Sequence, residues 1–244
     1  MASNTRFPHN SSARLLRTIG DQLLNRQQKN GGWTFALGHP ELIGLSHGAS
    51  GVAVALAEIS VSLGDSSYAD AAARGLDYEA SLFNPSQDNW PDLRIGLSPA
   101  DRFSMNSWCH GSVGIALARI RMLELCGTHD AADTWRHELS VAIESAINLP
   151  LTPVDHLCCG NLGRAAIISL AGQFNDDLRW QSIGRDLTSD VFDAAKGDAG
   201  SIKLLLGIEG SSGLRLPGLM TGLSGIGMVL LHGQDFRWIN SLLV

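Results

Sequence analysis

Apolar residues along the chain fall into two kinds of segment that alternate. In the first kind, such as VAVALAEI (52–59) and IALARI (115–120), almost every position is apolar, which is typical of a helix buried on all sides. In the second kind, such as YADAAARGLDYEASLF (68–83) and LRWQSIGRDLTSDVFDAA (178–195), apolar residues recur every three or four positions and the other face is charged. The alternation predicts inner helices paired with amphipathic outer helices.

Two further segments have the outer pattern, ARLLRTIGDQLLNRQQ (13–28) and TWRHELSVAIESAI (134–147). Alternating β-branched residues over the length of a strand are scarce, so the chain is predicted to be all-α.

A glycine repeat precedes each of the inner segments. Four stretches share the pattern Gly-x-x-Gly followed by an apolar run: LSHGASGVAVAL, WCHGSVGIALAR, CCGNLGRAAIISL and MTGLSGIGMVLL. Their first glycines lie at 48, 111, 160 and 222, and each interval has room for two helices and two connections. The repeat therefore predicts an α/α toroid or solenoid of helical hairpins.

Equivalent positions of successive hairpins meet at one rim of the inner layer. The residues just before each first glycine should therefore lie together. They are His47, His110, Cys159 and Thr221, with Cys109 and Cys158 one position earlier.

Three thiols and two imidazoles at helix starts suit zinc, which prefers thiolate and imidazole ligands. Helix N-termini lower thiol pKa values and favour the thiolate form. The competing interpretation is that buried cysteines are small hydrophobic residues, and this interpretation is kept for Cys126. Adjacent cysteines such as Cys158 and Cys159 do not easily bridge each other, so reduced thiols are expected.

The other polar residues at the rim leave alternatives open. His47 is either a helix cap or a general acid or base, and His110 is either a ligand or a proton donor. Thr221 is expected to be a cap, and Trp108 to be a packing residue. Arg164 could meet an anionic group, but a solvated side chain at an exposed turn is the preferred expectation.

Composition excludes several classes of partner. The formal net charge is −6, and no Lys/Arg block offers a surface for nucleic acid or an anionic membrane. The chain has neither an uninterrupted apolar signal segment nor a run of about eighteen apolar residues that could span a bilayer. A cytoplasmic protein is expected.

The motifs GLSHGASG, SWCHGSVG, HLCCGNLG and PGLMTGLSG, with the tail RWINSLLV, resemble the lanthionine synthetase cyclases (LanC-like proteins). They are most similar to the C-terminal cyclase domains of class II, LanM-type lanthipeptide synthetases. The resemblance implies an α/α toroid around a zinc ion that joins peptide cysteine thiols to dehydroalanine or dehydrobutyrine as thioethers. It also implies Cys109, Cys158 and Cys159 as zinc ligands and His47 as the acid or base, with His110 as a second catalytic candidate. The implied partner is a dehydrated, cysteine-containing precursor peptide.

The chain departs from the family pattern in two respects. Many relatives have Cys-His-Gly where this chain has Cys158-Cys159-Gly160. Family members have seven hairpins, whereas four glycine signatures are present here, so residues 1–244 are expected to be the C-terminal part of a cyclase domain, a partial ring. The missing repeats would carry an aspartate used near the active histidine, and they or a dehydratase could act in trans.

Two other functions remain as alternatives. One is a zinc- and peptide-binding module without turnover, or half of a split enzyme. The other is a carbohydrate-active α/α toroid, which would use paired carboxylates. Asp101 and Glu41 are the acidic residues nearest to the rim motifs, and nothing in the sequence pairs them.

Overall fold

The computed structural model describes residues 10–34, 40–94, 104–196, 217–232, 235 and 238–239. Within these ranges the chain forms eight α-helices, and its only β pairings are isolated bridges. This confirms the all-α prediction. The helices are α1 (Asn10–Arg26), α2 (Ala49–Leu63), α3 (Ser66–Ala80), α4 (Ser112–Cys126), α5 (Ala132–Ile147), α6 (Asn161–Phe174), α7 (Leu178–Ala195) and α8 (Leu223–His232).

The helices are arranged as hairpins in two layers. The pairs α2 and α3, α4 and α5, and α6 and α7 pack along their lengths as three hairpins. The inner helices α2, α4, α6 and α8 are neighbours in that order, and α1 packs against α2 and α3 as an additional outer helix. These contacts match the alternation predicted from the sequence and form part of an α/α toroid.

Helix α4 lies at the centre of the described core. Every residue from 112 to 120 is buried, because α4 contacts α2, α5 and α6. The outer helices α3 and α7 each have one charged face. They begin with side-chain caps, in which Asp65 and Asp177 accept backbone N–H groups of the first turn.

The inner helices begin differently, because loop backbone takes the place of a side-chain cap. Gly48, Gly111 and Gly160 are the N-cap residues of α2, α4 and α6, and none of them makes a side-chain cap bond. Loop carbonyls accept N–H groups at or near the helix starts instead. For example, the carbonyl of Ser107 accepts from Gly114 at 3.0 Å.

The second glycine of each repeat lets the preceding loop lie close against the first turn of the helix. A Cβ built on it would lie less than 3.0 Å from the carbonyl oxygen of the residue six positions earlier, a separation that real Cβ atoms essentially never show. The contact is the same in all four repeats, so each loop folds back onto the following helix in the same way. The four pairs are Leu45 with Gly51, Trp108 with Gly114, Leu157 with Gly163, and Leu219 with Gly225.

A buried ionic cluster connects the first two hairpins. Arg119 of α4 is fully buried and donates to Glu138 of α5 at 2.6 Å and to Glu79 of α3 at 3.0 Å. Burial alone would lower the pKa of Arg119, but the charges of Glu138 and Glu79 outweigh it and raise that pKa. Glu79 also accepts the hydroxyl of Ser50 at 2.6 Å and the backbone N–H of Gly44 at 2.7 Å. The cluster therefore fixes the loop before α2 to the core.

None of the helices in the described ranges is both long enough and apolar enough to cross a bilayer.

Substitution of the second glycine in the third repeat should destabilise the fold. In Gly163→Ala the new methyl group would collide with the carbonyl of Leu157, and we expect a loss of about 1 to 3 kcal/mol in the free energy of unfolding. Gly227 of α8 has open space at its Cβ position, so Gly227→Ala should be neutral or slightly stabilising. Denaturant unfolding of both variants tests the close approach, and an equal effect at the two sites would contradict it.

Loss of the central guanidinium should also destabilise the fold. In Arg119→Met two buried carboxylates lose their partner, and we expect a cost of about 3 to 5 kcal/mol in the free energy of unfolding. Arg136 pairs with Asp133 on the surface of α5, so Arg136→Met is the matched control and should cost less than about 1 kcal/mol. Similar denaturation midpoints for the two variants would show that the buried cluster contributes no more than a surface pair.

Candidate metal centre

Backbone hydrogen bonds join the loops that precede the inner helices. The N–H of Ser46 donates to the carbonyl of Cys109 at 3.1 Å, the N–H of Trp108 donates to Cys158 at 2.8 Å, and the N–H of Cys158 donates to Met220 at 2.8 Å. Each bond connects one repeat to the next. The rim residues of four repeats are therefore held side by side by main-chain atoms.

Three thiols come together on this rim. The Sγ atom of Cys159 lies 3.5 Å from that of Cys109 and 3.5 Å from that of Cys158, and all three sulfurs lie within 4.8 Å of one another. Cys109 is buried, whereas Cys158 and Cys159 are partly exposed, and all three are free thiols. Two of the three come from a loop about fifty residues away from the first.

The donor set fits a zinc ion. Sulfur ligands of a tetrahedral zinc with bonds of about 2.3 Å lie about 3.8 Å apart, close to the separations found here. Three thiolate ligands would leave a tetrahedral zinc ion one further position for water or a substrate, as in sites where zinc takes part in catalysis. Cys109, Cys158 and Cys159 are the only group of three or more potential ligands found this close together among the described residues.

Hydrogen bonds among the three thiols shift their pKa values in opposite directions. The neighbouring thiols of Cys158 and Cys159 hydrogen-bond to Cys109 and hold its pKa well below the ordinary value. Hydrogen bonding to Cys109 raises the pKa of both Cys158 and Cys159. A lowered thiol pKa favours the thiolate, which is the form that binds a metal cation.

Two polar residues beside the thiols hold the loops in place. The Oγ atom of Ser107 lies 3.3 Å from the sulfur of Cys109 and also donates to the carbonyl of His110 at 3.0 Å. The Nδ1 atom of His156 accepts the backbone N–H of Cys159 at 3.3 Å, and burial lowers the pKa of His156. Neither residue was singled out from the sequence, although His156 lies within the HLCCG motif.

The two histidines of the rim lie next to each other. The ring centroids of His47 and His110 are 5.8 Å apart, with His47 exposed and His110 buried. Burial lowers the pKa of His110, and its Nε2 atom has no hydrogen-bond partner among the described residues. Gly44, with φ of +92°, packs against His110 where a side chain would not fit comfortably. The ionic cluster that holds Gly44 therefore also fixes the position of His110 relative to His47.

A buried carboxylate and a guanidinium lie beside this site. Asp92 is 2% exposed and accepts two hydrogen bonds from the Nε atom and one from the Nη2 atom of Arg94. The charge of His110 helps to lower the pKa of Asp92, after the larger effect of Arg94. The charges of Cys109 and Cys159 help to raise the pKa of Arg94, after the larger effect of Asp92. No sequence motif indicates this pair, and its place beside the cysteine loop follows from the fold alone.

Two of the other expectations for single residues are confirmed, and one is wrong. Cys126 is partly buried against the core at the end of α4, and Trp108 packs against the core, both as expected. The expectation of a solvated Arg164 is wrong. Arg164 is only 3% exposed, and its Nη1 atom donates to the carbonyl of Pro150 at 3.0 Å. Thr221 is exposed directly before Gly222.

Of the two carboxylates considered for a carbohydrate-active site, Glu41 alone lies within the described residues. Glu41 accepts the hydroxyl of Thr34 at 3.3 Å, and Asp101 lies outside the described residues.

Comparison with known proteins identifies the family. The family model described as "Lanthionine synthetase C-like protein" matches residues 4–236. Among solved structures, nisin cyclase superposes with a TM-score of 0.69 at 20% sequence identity, over 98% of this chain and 63% of nisin cyclase. The chain thus spans less than two thirds of the length of that protein. None of the curated protein sequences compared with the chain is significantly similar to it. The family match covers nearly the whole chain, and the chain belongs to the lanthionine synthetase C-like family.

Proposed function

We propose that the protein is a lanthipeptide cyclase of the LanM type that acts on a dehydrated, cysteine-containing precursor peptide. It would add peptide cysteine thiols to dehydroalanine or dehydrobutyrine and form lanthionine or methyllanthionine rings. The observation that carries the proposal is the group of three thiols within 4.8 Å at the starts of inner helices, in a chain of the LanC-like family.

Cys109, Cys158 and Cys159 are the proposed zinc ligands. Bound zinc would supply a Lewis acid that keeps the peptide thiol in its nucleophilic thiolate form. Three thiolate ligands leave a net negative charge at the site, so the peptide sulfur would retain more nucleophilicity than at a neutral site. The hydrogen bonds of Ser107 and His156 keep the ligand loops in the orientation that the site requires.

His47 and His110 are the proposed acid and base residues. When sulfur adds to the β-carbon, the peptide forms an enolate that must gain a proton at its α-carbon. His47 is exposed at the rim, where a peptide can reach its ring, and it is the proposed proton donor. His110 is buried beside it, and its Nε2 atom, which has no hydrogen-bond partner among the described residues, can orient the His47 ring or the substrate.

A zinc- and peptide-binding role without turnover is the second candidate. The observation that supports it is the group of three neighbouring thiols, which would hold zinc in this role as in the cyclase role. In either case we propose residues 1–244 as the C-terminal part of one cyclase domain, which further repeats or a dehydratase could complement in trans. A cytoplasmic location suits three neighbouring thiols that must stay reduced.

Metal analysis tests the proposed ligands directly. We expect about one zinc ion per chain in the purified protein, and loss of that zinc in Cys109→Ala, Cys158→Ala and Cys159→Ala, because each removes a thiolate from the site. Cys126→Ala is the matched control and should keep the metal, since Cys126 lies at the opposite end of α4. Equal zinc content in all four variants, measured by atomic emission, would rule out the three-cysteine site.

Incubation with a dehydrated peptide tests the reaction. The zinc-loaded protein should consume peptide thiols, so that later alkylation labels fewer cysteines without a change in peptide mass. His47→Asn should slow this loss by about 100- to 10,000-fold at unchanged zinc content, because the proton donor is removed. His129→Asn is the control, since His129 pairs with Asp70 on the surface.

The same incubation separates the two candidate functions. If every peptide cysteine remains available for alkylation although the peptide binds the zinc-loaded protein, the binding role is correct and the cyclase proposal is wrong.

A further inference from the structure

We propose that Arg94 binds the carbonyl oxygen of the dehydro residue beside the three thiols and stabilises the negative charge that develops there during sulfur addition. This assignment deepens the proposed cyclase function and rests on it.

The segment that carries Arg94 is fixed to the backbone that leads into Cys109. Pro91 forms an antiparallel bridge with Ser104. The Asn89 side chain donates to Asn106 at 2.9 Å and accepts the N–H of Ser112, in the first turn of α4, at 3.0 Å. Residues 89–92 therefore lie along the approach to the thiol cluster, although seventeen residues separate Asn89 from Asn106.

Asp92 holds the guanidinium of Arg94 in one orientation. The side chain of Asp92 is fully buried and accepts from the Arg94 backbone N–H at 3.0 Å, from its Nε atom at 3.0 Å and from its Nη2 atom at 2.6 Å. Burial alone would raise the pKa of Asp92, but the hydrogen bonds and charge of Arg94 lower it, so the pair is ionic. A buried carboxylate is costly in stability, which argues that the pair serves to position Arg94.

The described residues leave part of the guanidinium without a hydrogen bond. Nη2 contacts the sulfur of Met105 at 3.3 Å, while Nη1 makes no hydrogen bond to a described residue, and the side chain is 40% exposed. Hydrogen bonding to Asp92 is the main cause that raises the pKa of Arg94, and the negative charges of Cys109 and Cys159 add to it. The contact with Met105, four residues before Cys109, places the cation next to the segment that leads to the thiols, and the Asp92 anchor does not use the Nη1 group.

Conjugate addition is accelerated by a hydrogen-bond donor at the carbonyl oxygen of the dehydro residue. The thiolate forms the new bond to the β-carbon, the double-bond electrons move towards the carbonyl group, and negative charge accumulates on its oxygen. A proton then reaches the α-carbon, so no oxidant or reductant is needed. A donor held beside that oxygen interacts more strongly with the developing anion than with the neutral carbonyl, and it therefore accelerates the step.

Kinetics of Arg94→Gln test the assignment. We expect kcat for thiol consumption to fall by about 100- to 1,000-fold, which is typical for the loss of one oxyanion donor, with a change in KM of less than about threefold. Arg94→Lys should recover part of kcat, because it keeps the charge and loses the paired geometry. Arg136→Gln, on the outer surface of α5, is the control and should behave like the wild type.

Two measurements separate catalysis from folding. Zinc content and the affinity for a cysteine peptide with alanine in place of the dehydro residue should be the same in Arg94→Gln and in the wild type. The double variant Asp92→Asn/Arg94→Gln leaves no unpaired buried charge, so it should be as stable as the wild type and still show the loss in kcat.

Three results would overturn the assignment. One is an unchanged kcat in Arg94→Gln, and another is a loss confined to KM, which would indicate binding of the ground state alone. The third is a loss that follows zinc content. If the wild type itself consumes no peptide thiol, the proposed function fails and this inference fails with it, an outcome distinct from an active wild type with an equally active Arg94→Gln.

Discussion

The contact between a loop carbonyl and the first turn of the next inner helix determines the geometry of this protein. It is possible only where the helix has no side chain, and a glycine occupies that position in all four repeats. Since each loop folds back in the same way, the residues before each helix reach the same height on the rim. The meeting of Cys109 with Cys158 and Cys159 follows from this repeated contact.

Two other sets of interactions hold the loops of the rim in position. The ionic cluster of Arg119, Glu79 and Glu138 lies in the core, yet through Gly44 it reaches the loop that carries His47 and packs on His110. The backbone bonds between loops then set the spacing from one repeat to the next. The position of the site therefore depends on the buried ionic cluster and on main-chain hydrogen bonds between the loops.

The sequence predicted the parts of this arrangement that are periodic. Alternating apolar patterns predict the inner and outer helices, and the glycine spacing predicts that the three cysteines lie on one rim. It did not predict the pair of Asp92 and Arg94, because that pair lies in a non-helical segment without repeat or motif. The burial of Arg164 was missed for a related reason: its partner is the main-chain carbonyl of Pro150, and any residue type supplies a carbonyl.

The main-chain bonds between the loops have an evolutionary consequence. These bonds use N–H and carbonyl groups, which nearly every amino acid possesses. They join Ser46 to Cys109, Trp108 to Cys158, and Cys158 to Met220. A substitution that exchanges one ligand type for another, such as imidazole for the thiol at Cys159, keeps the groups that form these main-chain bonds. Lineages built on this scaffold can therefore change the donor set one residue at a time while the bonds between the loops persist.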